Sequence, residues 1–213
     1  MVNTVNAWRE DLSIEVPTAR GFLRTKLTRI GPFTTRKVPF QISSTGPAKL
    51  QVRLKQGAVT IHTITIDLRK RQAGESTKRT FISEVDGSAQ YYAVQPSLAE
   101  GPGQALFLSV HGASVEAIGQ ADAYSRKTWG HLVAPTNRRP FGFDWEDIGR
   151  QDAMEVMNIA RTTLQTDPTK TYLTGHSMGG HGTWILGFQF PDRVGAIAPC
   201  AGWQRFATYG GGL

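Results

Sequence analysis

The stretch KTYLTGHSMGGHGTW, residues 170–184, decides the fold of this chain. A β-branched and aromatic run at residues 171–174 leads into the turn Gly175-His176-Ser177-Met178-Gly179, and an apolar helical pattern begins at Trp184. The order is strand, sharp turn and helix, which is the local structure that the pattern G-x-S-x-G takes. Glycines at both ends of the turn leave room for neighbouring backbones, so the pattern predicts a strained serine whose hydroxyl projects from the end of a sheet.

The position of Ser177 at this turn is typical of a catalytic nucleophile. Ser177 directly precedes a helix N-terminus, whose unpaired N–H groups favour the negative charge that develops during acyl transfer. The other interpretation is a glycine-rich turn in which the serine only caps the helix. The rest of the chain favours the nucleophile, because it supplies the neighbours that an acyl-transfer serine requires.

Strand and helix patterns alternate around this turn. Apolar runs of strand length occur at residues 105–110, 131–135 and 194–198, and helical spacing occurs at 115–124 and 146–163. This alternation predicts a doubly wound α/β domain with a mostly parallel sheet. Ligands of such sheets bind beyond the carboxyl ends of the strands, where Ser177 would lie.

The N-terminal part of the chain has a different period. Residues 49–55 and 60–68 alternate between apolar and polar side chains, which is typical of half-buried strands, and we expect a small antiparallel β-sandwich-like domain. We assign the hairpin signal at Asp86-Gly87 to the α/β sheet instead. The predicted domains are therefore a β-rich accessory domain at 1–79 and an α/β domain at 80–213. Residues 1–19 are predicted to form an irregular arm.

Composition excludes several classes of function. Residues 1–100 carry 15 Lys and Arg against 8 Asp and Glu, whereas residues 101–213 carry 9 of each. The basic residues are scattered along predicted strands, so we expect a solvated sheet face and no nucleic-acid partner. No clustered metal ligands, phosphate loop or cofactor motif occurs, and no metal or cofactor is expected. We also expect no membrane partner, because the sequence has no apolar run of about 18 residues.

The compartment is left open by the sequence. The start of the chain lacks the basic and apolar pattern of a signal peptide. The single cysteine, Cys200, lies in an apolar run and is expected to be buried. A chain with one cysteine fits a reducing compartment, which slightly favours the cytoplasm.

The chain resembles the α/β-hydrolase superfamily and, within it, prolyl-oligopeptidase-like peptidases and esterase-D-like esterases. The resemblance covers roughly residues 80–205 in the proper order. The segments that carry it are Ser109-Val110-His111-Gly112-Ala113, Gly142-Phe143-Asp144-Trp145, Gly175-His176-Ser177-Met178-Gly179-Gly180, and Pro191-Asp192-Arg193 with Ala198 to Trp203.

The resemblance implies a serine hydrolase of the carboxylesterase or peptidase type. Ser177 would form an acyl-enzyme with a small ester or a peptide substrate. The oxyanion hole would be formed by the N–H of Met178 and a second N–H, that of Ala113 or alternatively that of Gly112. The residues expected at a substrate rim are His111, Phe143 and Trp145.

The sequence departs from the family pattern after the serine turn. In α/β-hydrolases the acid and the histidine of the triad follow the serine in chain order. Here Asp192 is the only acid after Ser177 and His181 the only histidine. Asp192 lies at the far end of the following helix, and His181 lies in its first turn facing neighbouring structure. We therefore expect an N-terminal part of a hydrolase that lacks the triad acid and base.

Two consequences are expected. A sheet that lacks its next strand has an open edge, which favours a homo-oligomer or pairing with another strand. A serine without a base is a weak nucleophile, so the alternative function is a catalytically inactive α/β-hydrolase-fold module that binds a partner.

Overall fold

Ten strands, three α-helices and a 3-10 helix form the described residues 1–42, 48–138 and 144–205 of the computed structural model. In chain order the elements are β1 Leu12–Thr18, β2 Gly21–Lys26, β3 Lys49–Gln56, β4 Val59–Asp67, β5 Thr77–Ile82, β6 Ala89–Gln95, β7 Ala105–Val110, α1 Ala117–Asp122, β8 Gly130–Ala134, α2 Asp147–Thr163, β9 Thr171–His176, α3 Met178–Gln189, the 3-10 helix Pro191–Arg193 and β10 Ala196–Cys200. Among these described elements, no helix has both the length and the apolar character needed to cross a membrane.

The chain divides into two units. The first consists of Met1–Lys70 and Asp86–Ala89, and the second consists of Arg71–Val85 and Gln90–Leu213. Each unit has its own sheet and its own apolar core. The domain boundary near residue 79 stays a prediction.

The first unit contains an antiparallel sheet of four strands in the order β2-β1-β3-β4. Its central strand β1 was not expected, because residues 1–19 were predicted to be irregular. Leu12, Ile14 and Val16 alternate along β1 and lie in the core of this unit. Pro17 concealed the strand in the sequence. It is tolerated because β3 pairs only with residues 12–15, so the missing N–H of Pro17 breaks no bond to β3.

The second unit contains a six-stranded sheet in the order β10-β9-β7-β8-β6-β5. Strands β10, β9, β7 and β8 pair in parallel, and β6 runs antiparallel to β8. The predicted mostly parallel sheet is therefore confirmed, and the hairpin of β5 and β6 belongs to it.

Helices cover both faces of this sheet, as a doubly wound fold requires. Leu106, Leu108 and Val110 of the central strand β7 pack into one core cluster with residues of α2 and α3. Residues of β6, β8 and α1 form a second cluster. Because β7 and β9 are parallel and in register up to the pair Val110 and Gly175, their carboxyl ends meet at one edge of the sheet.

Strand β10 is the edge strand beside β9, and its side chains are exposed or half-buried. Cys200, at its end, is exposed. This corrects the expectation of a buried cysteine. An apolar run signals burial only where other elements cover both faces of the strand, and no described strand pairs with the outer side of β10.

Candidate active site

The turn between β9 and α3 has the strained backbone that the sequence predicts. Ser177 has φ 58° and ψ −120°, a conformation that non-glycine residues rarely adopt. A Cβ on Gly175 or Gly179 would collide with the carbonyl oxygen of Val110 at the end of β7. The Ser177 N–H donates to the carbonyl of Cys200 at 2.9 Å, so the corner is held from both neighbouring strands.

The loop after β7 lies directly against this corner. A Cβ on Gly112 would lie 3.1 Å from the carbonyl oxygen of His176 and 3.7 Å from the Cβ of Ser177. A side chain at this position would require the neighbouring backbone to give way slightly, whereas glycine fits without any shift. The backbone of Gly112 and the serine are therefore neighbours, although they are 65 positions apart in the sequence.

The peptide between Gly112 and Ala113 has a defined orientation. Its carbonyl accepts the N–H of Val115 at 3.3 Å and lies 2.9 Å from Nδ1 of His111. In a trans peptide the N–H points opposite to the carbonyl, so the Ala113 N–H points away from these partners. Ala113 is exposed, and its N–H donates to no acceptor among the described residues. It is free to bind an oxygen of a ligand.

The side chains of His111 and Trp145 lie beneath this loop and are fully buried. The expectation that they line a substrate rim is wrong for this reason. The Trp145 indole N–H donates to the carbonyl of His111 at 3.0 Å, and the two rings pack edge to face at 5.0 Å. They support the loop from the core side. Phe143, the third predicted rim residue, lies outside the described residues.

His181 is buried in the first turn of α3, and both of its ring nitrogens face oxygen atoms. Its Nδ1 lies 2.9 Å from the carbonyl of Trp203, and its Nε2 lies 2.9 Å from Glu146 and 3.3 Å from Asp144. The ring also stacks on the Trp203 indole at 4.9 Å.

The side chains of Asp144, Glu146 and His181 also form a group, found among the described residues, whose possible metal-ligand atoms lie within 4.8 Å of one another. Aspartate, glutamate and histidine are common metal ligands. The direct contacts between the histidine and the carboxylates already account for their arrangement.

No histidine is in place to act as the base of Ser177. All five histidines of the chain lie in the described residues, and none has a ring nitrogen in hydrogen-bond distance of the Ser177 hydroxyl. His181 is turned to the carboxylates, and His176 is exposed. Asp192 lies in the 3-10 helix beyond α3 and accepts no histidine N–H. The described residues therefore hold a serine without a triad.

A buried ion pair holds the loop after β8. Asp152 of α2 is completely buried and accepts the backbone N–H of Thr136 at 3.1 Å, while the Arg138 guanidinium lies 3.5 Å away. Burial raises the pKa of Asp152, and the charge of Arg138 opposes that rise. The pair fixes the start of the loop whose next residues, 139–143, lie outside the described range.

Sequence reasoning missed Glu146 and Asp152. Glu146 reads as an ordinary acid at a helix start, and its partner His181 is 35 positions away. Asp152 interrupts the apolar face of α2 among Gly149, Ala153 and Val156, all of them buried. A charged residue on a buried helix face is a signal that could have revealed it.

Comparisons with known proteins agree with this geometry. A model of the Esterase family matches residues 119–206. Feruloyl esterase B of Talaromyces funiculosus is 29% identical over 142 residues, which cover 59% of this chain and 40% of that protein. This chain therefore spans less than half the length of that curated relative.

Two solved structures share the fold. One, of a protein named FAE, has a TM-score of 0.51 at 17% identity and covers 62% of this chain and 55% of the other. The second, of an arylesterase, has a TM-score of 0.50 at 18% identity, and the match covers 63% of this chain and 47% of the arylesterase chain. With the strand order and the serine corner described above, these two structures show that the chain has the α/β-hydrolase fold.

Proposed function

We propose that this chain is the serine-bearing part of a carboxylesterase, in which Ser177 attacks an ester carbonyl and forms an acyl-enzyme. The observation that carries the proposal is the Ser177 corner at φ 58° with the Gly112 backbone against it. The strained turn presents the hydroxyl, and the adjacent loop offers an N–H without an acceptor. Among the substrates that fit a nucleophilic serine we favour esters over peptides, because the matched family and the curated relative are esterases.

The proposed oxyanion hole has two backbone donors. The Met178 N–H is at the first position of α3, where no helical acceptor exists. The Ala113 N–H points away from the buried side of its loop, as described above. Gly112 serves this pair by its lack of a side chain, which brings the two backbones together. Donors fixed in this way stabilise the oxyanion of a tetrahedral intermediate.

We propose that the base is supplied from outside the described residues, because among them no hydrogen bond joins a histidine ring to the Ser177 hydroxyl. A further segment of the same protein or a partner could supply an imidazole. Until it does, the hydroxyl keeps its proton and reacts slowly. The proposal therefore predicts that a free imidazole in solution partly replaces the missing base.

A fluorophosphonate probe tests this directly. The 213-residue chain is incubated with the probe, with and without imidazole, and the modified residue is located by mass spectrometry. We expect slow labelling of Ser177 that imidazole accelerates and that Ser177→Ala abolishes. The matched control is Ser125→Ala, which removes an exposed hydroxyl beyond α1 and leaves the labelling unchanged. Labelling of another residue, or none in the presence of imidazole, contradicts the proposal and favours a binding module.

A further inference from the structure

Three consecutive residues, Asp144, Trp145 and Glu146, connect the two backbones that carry the proposed oxyanion donors. They directly precede α2 and belong to neither β7 nor β9. On one side they contact the loop after β7, and on the other they contact the first turn of α3. A shift of these residues would therefore act on both backbones at once.

The contact with the first backbone is made by Trp145. Its indole N–H binds the carbonyl of His111, one residue before Gly112, at 3.0 Å. Its ring fills the space beside Gly182 of α3, where an added Cβ would lie 2.6 Å from the Cβ of Trp145. An indole that is fully buried and bonded in this way can shift only together with its own backbone.

The contact with the second backbone is made by the carboxylates on either side of Trp145. Glu146 lies 2.9 Å and Asp144 3.3 Å from Nε2 of His181, which is buried in the first turn of α3. The backbone N–H of His181 in turn donates to the backbone carbonyl of Ser177 at 3.1 Å. A displacement of the carboxylates would thus be passed to the turn that carries the nucleophile.

We propose that His181 is a positioning residue for the oxyanion hole, and this role rests on the proposed esterase function. The imidazole holds the segment of residues 144–146 through its Nε2 side and the segment after β10 through its Nδ1 side. Held there, Trp145 keeps the loop after β7 at its distance from the serine turn. The imidazole acts through these neighbours and does not contact the substrate.

Two substitutions separate the two sides of the ring. The amide nitrogen of asparagine takes the place of Nδ1, so His181→Asn keeps the bond to the Trp203 carbonyl and loses the carboxylates. The amide nitrogen of glutamine takes the place of Nε2, so His181→Gln keeps a donor to Glu146 and loses the bond to Trp203. The proposal requires the carboxylate side for positioning Trp145.

The first measurement does not depend on activity. Hydrogen exchange of the Trp145 indole N–H is followed by NMR in the intact chain, and Trp145→Phe assigns its signal among the five indoles. We expect about tenfold faster exchange in His181→Asn, because the bond to the His111 carbonyl then opens more often, and near-normal exchange in His181→Gln. The control His176→Asn changes an exposed imidazole in the same turn and leaves the exchange unchanged.

Unchanged exchange in His181→Asn overturns the proposal, and so does an equal change in both variants, which would indicate a general packing defect. A Zn²⁺-induced rise in Tm that requires His181 also overturns it, since the three side chains would then be metal ligands. In the chain assayed with imidazole, His181→Asn should lower kcat for ester hydrolysis with little change in KM. Ser177 could remain unlabelled while indole exchange is faster in His181→Asn alone. In that case the esterase proposal fails, and the role of His181 in holding Trp145 against the loop after β7 is retained.

Discussion

At the scale of single residues, the glycines of the serine turn are set by close approach of backbones. Gly179 faces the carbonyl of Val110 so closely that any Cβ would overlap it. Backbone atoms at the end of a central strand cannot move aside as a flexible side chain can.

We expect Gly179→Ala to lower the free energy of unfolding by about 1–3 kcal/mol, because the added methyl overpacks the junction of β7 and α3. Urea denaturation measures the effect. Gly119→Ala is the control, since its new methyl in α1 would lie 3.9 Å from the Val115 side chain, an ordinary contact, and alanine favours helix over glycine by about 1 kcal/mol. Equal stability of both variants would contradict the packing of the turn described here.

The sequence predicted the serine turn well because all of its determinants lie within five residues. It failed for Glu146 and for the buried position of Trp145. A carboxylate that binds a histidine 35 positions away leaves no periodic signal. An aromatic residue in a loop has the same appearance in sequence whether it lines a rim or packs into the core, and only the contact with His111 decides between them.

At the scale of elements, the junction of β8 and α2 depends on a buried charge pair. Arg138 is 8% exposed and Asp152 is 0% exposed, and the Arg138 guanidinium also contacts Glu155 at 3.5 Å. Removing one member of a buried pair leaves the other charge without full compensation.

Asp152→Ala should therefore destabilise the chain by about 3 kcal/mol, as measured by thermal or urea unfolding. The control is Glu10→Ala, which breaks the exposed pair with Arg29, where both side chains are 65% exposed. Exposed pairs contribute about 0–1 kcal/mol. A loss in Asp152→Ala as small as that of the control would show that the pair does not hold this junction.

The turn between α2 and β9 gives a pH dependence with a defined sign. Hydrogen bonds from Thr169 and then from Lys170 lower the pKa of Asp167 to about 2. A lowered pKa in the folded state contributes stability above the unfolded pKa of about 4, and this contribution is lost as pH falls toward about 2.

Asp167→Asn should flatten the dependence of Tm on pH between about pH 4 and about pH 2. Thr18→Ala, at a turn of the first sheet, removes a hydroxyl without removing a carboxylate and should leave this slope unchanged. If the slope is the same with and without the Asp167 carboxylate, the turn does not have the hydrogen bonds described.

At the scale of the whole molecule, β10 is one edge of the six-stranded sheet. Among the described residues no strand pairs with it, and a strand with unpaired N–H and C=O groups is a template for another chain. We propose that a second copy or another segment pairs there.

For the chain alone this predicts association that depends on concentration, measured by sedimentation. Ala196→Lys places a charge on the exposed start of β10 and should shift the chain toward monomer. Ala123→Lys, at the exposed end of α1, should not. A wild-type chain that stays monomeric over the whole concentration range would show that the edge does not pair with itself.

Alternation of strands and helices predicted the parallel sheet at this scale, because a strand covered on both faces has a continuous apolar run. The first strand was lost, since its alternation is short and Pro17 suggested a break. Strand β1 pairs with β3, whose residues lie about 40 positions further along the chain. The sequence around Pro17 contains no information about that pairing.

The backbone conformation at Ser177 also has a consequence for the thermal stability of variants at this position. A φ of 58° with a ψ of −120° costs a non-glycine residue on the order of 1–3 kcal/mol, and glycine adopts it without that penalty. Replacement by glycine should therefore make the chain more heat-resistant while deleting its only hydroxyl at the corner. The proposed acyl transfer needs that hydroxyl, so this gain in heat resistance would come with the loss of the proposed activity.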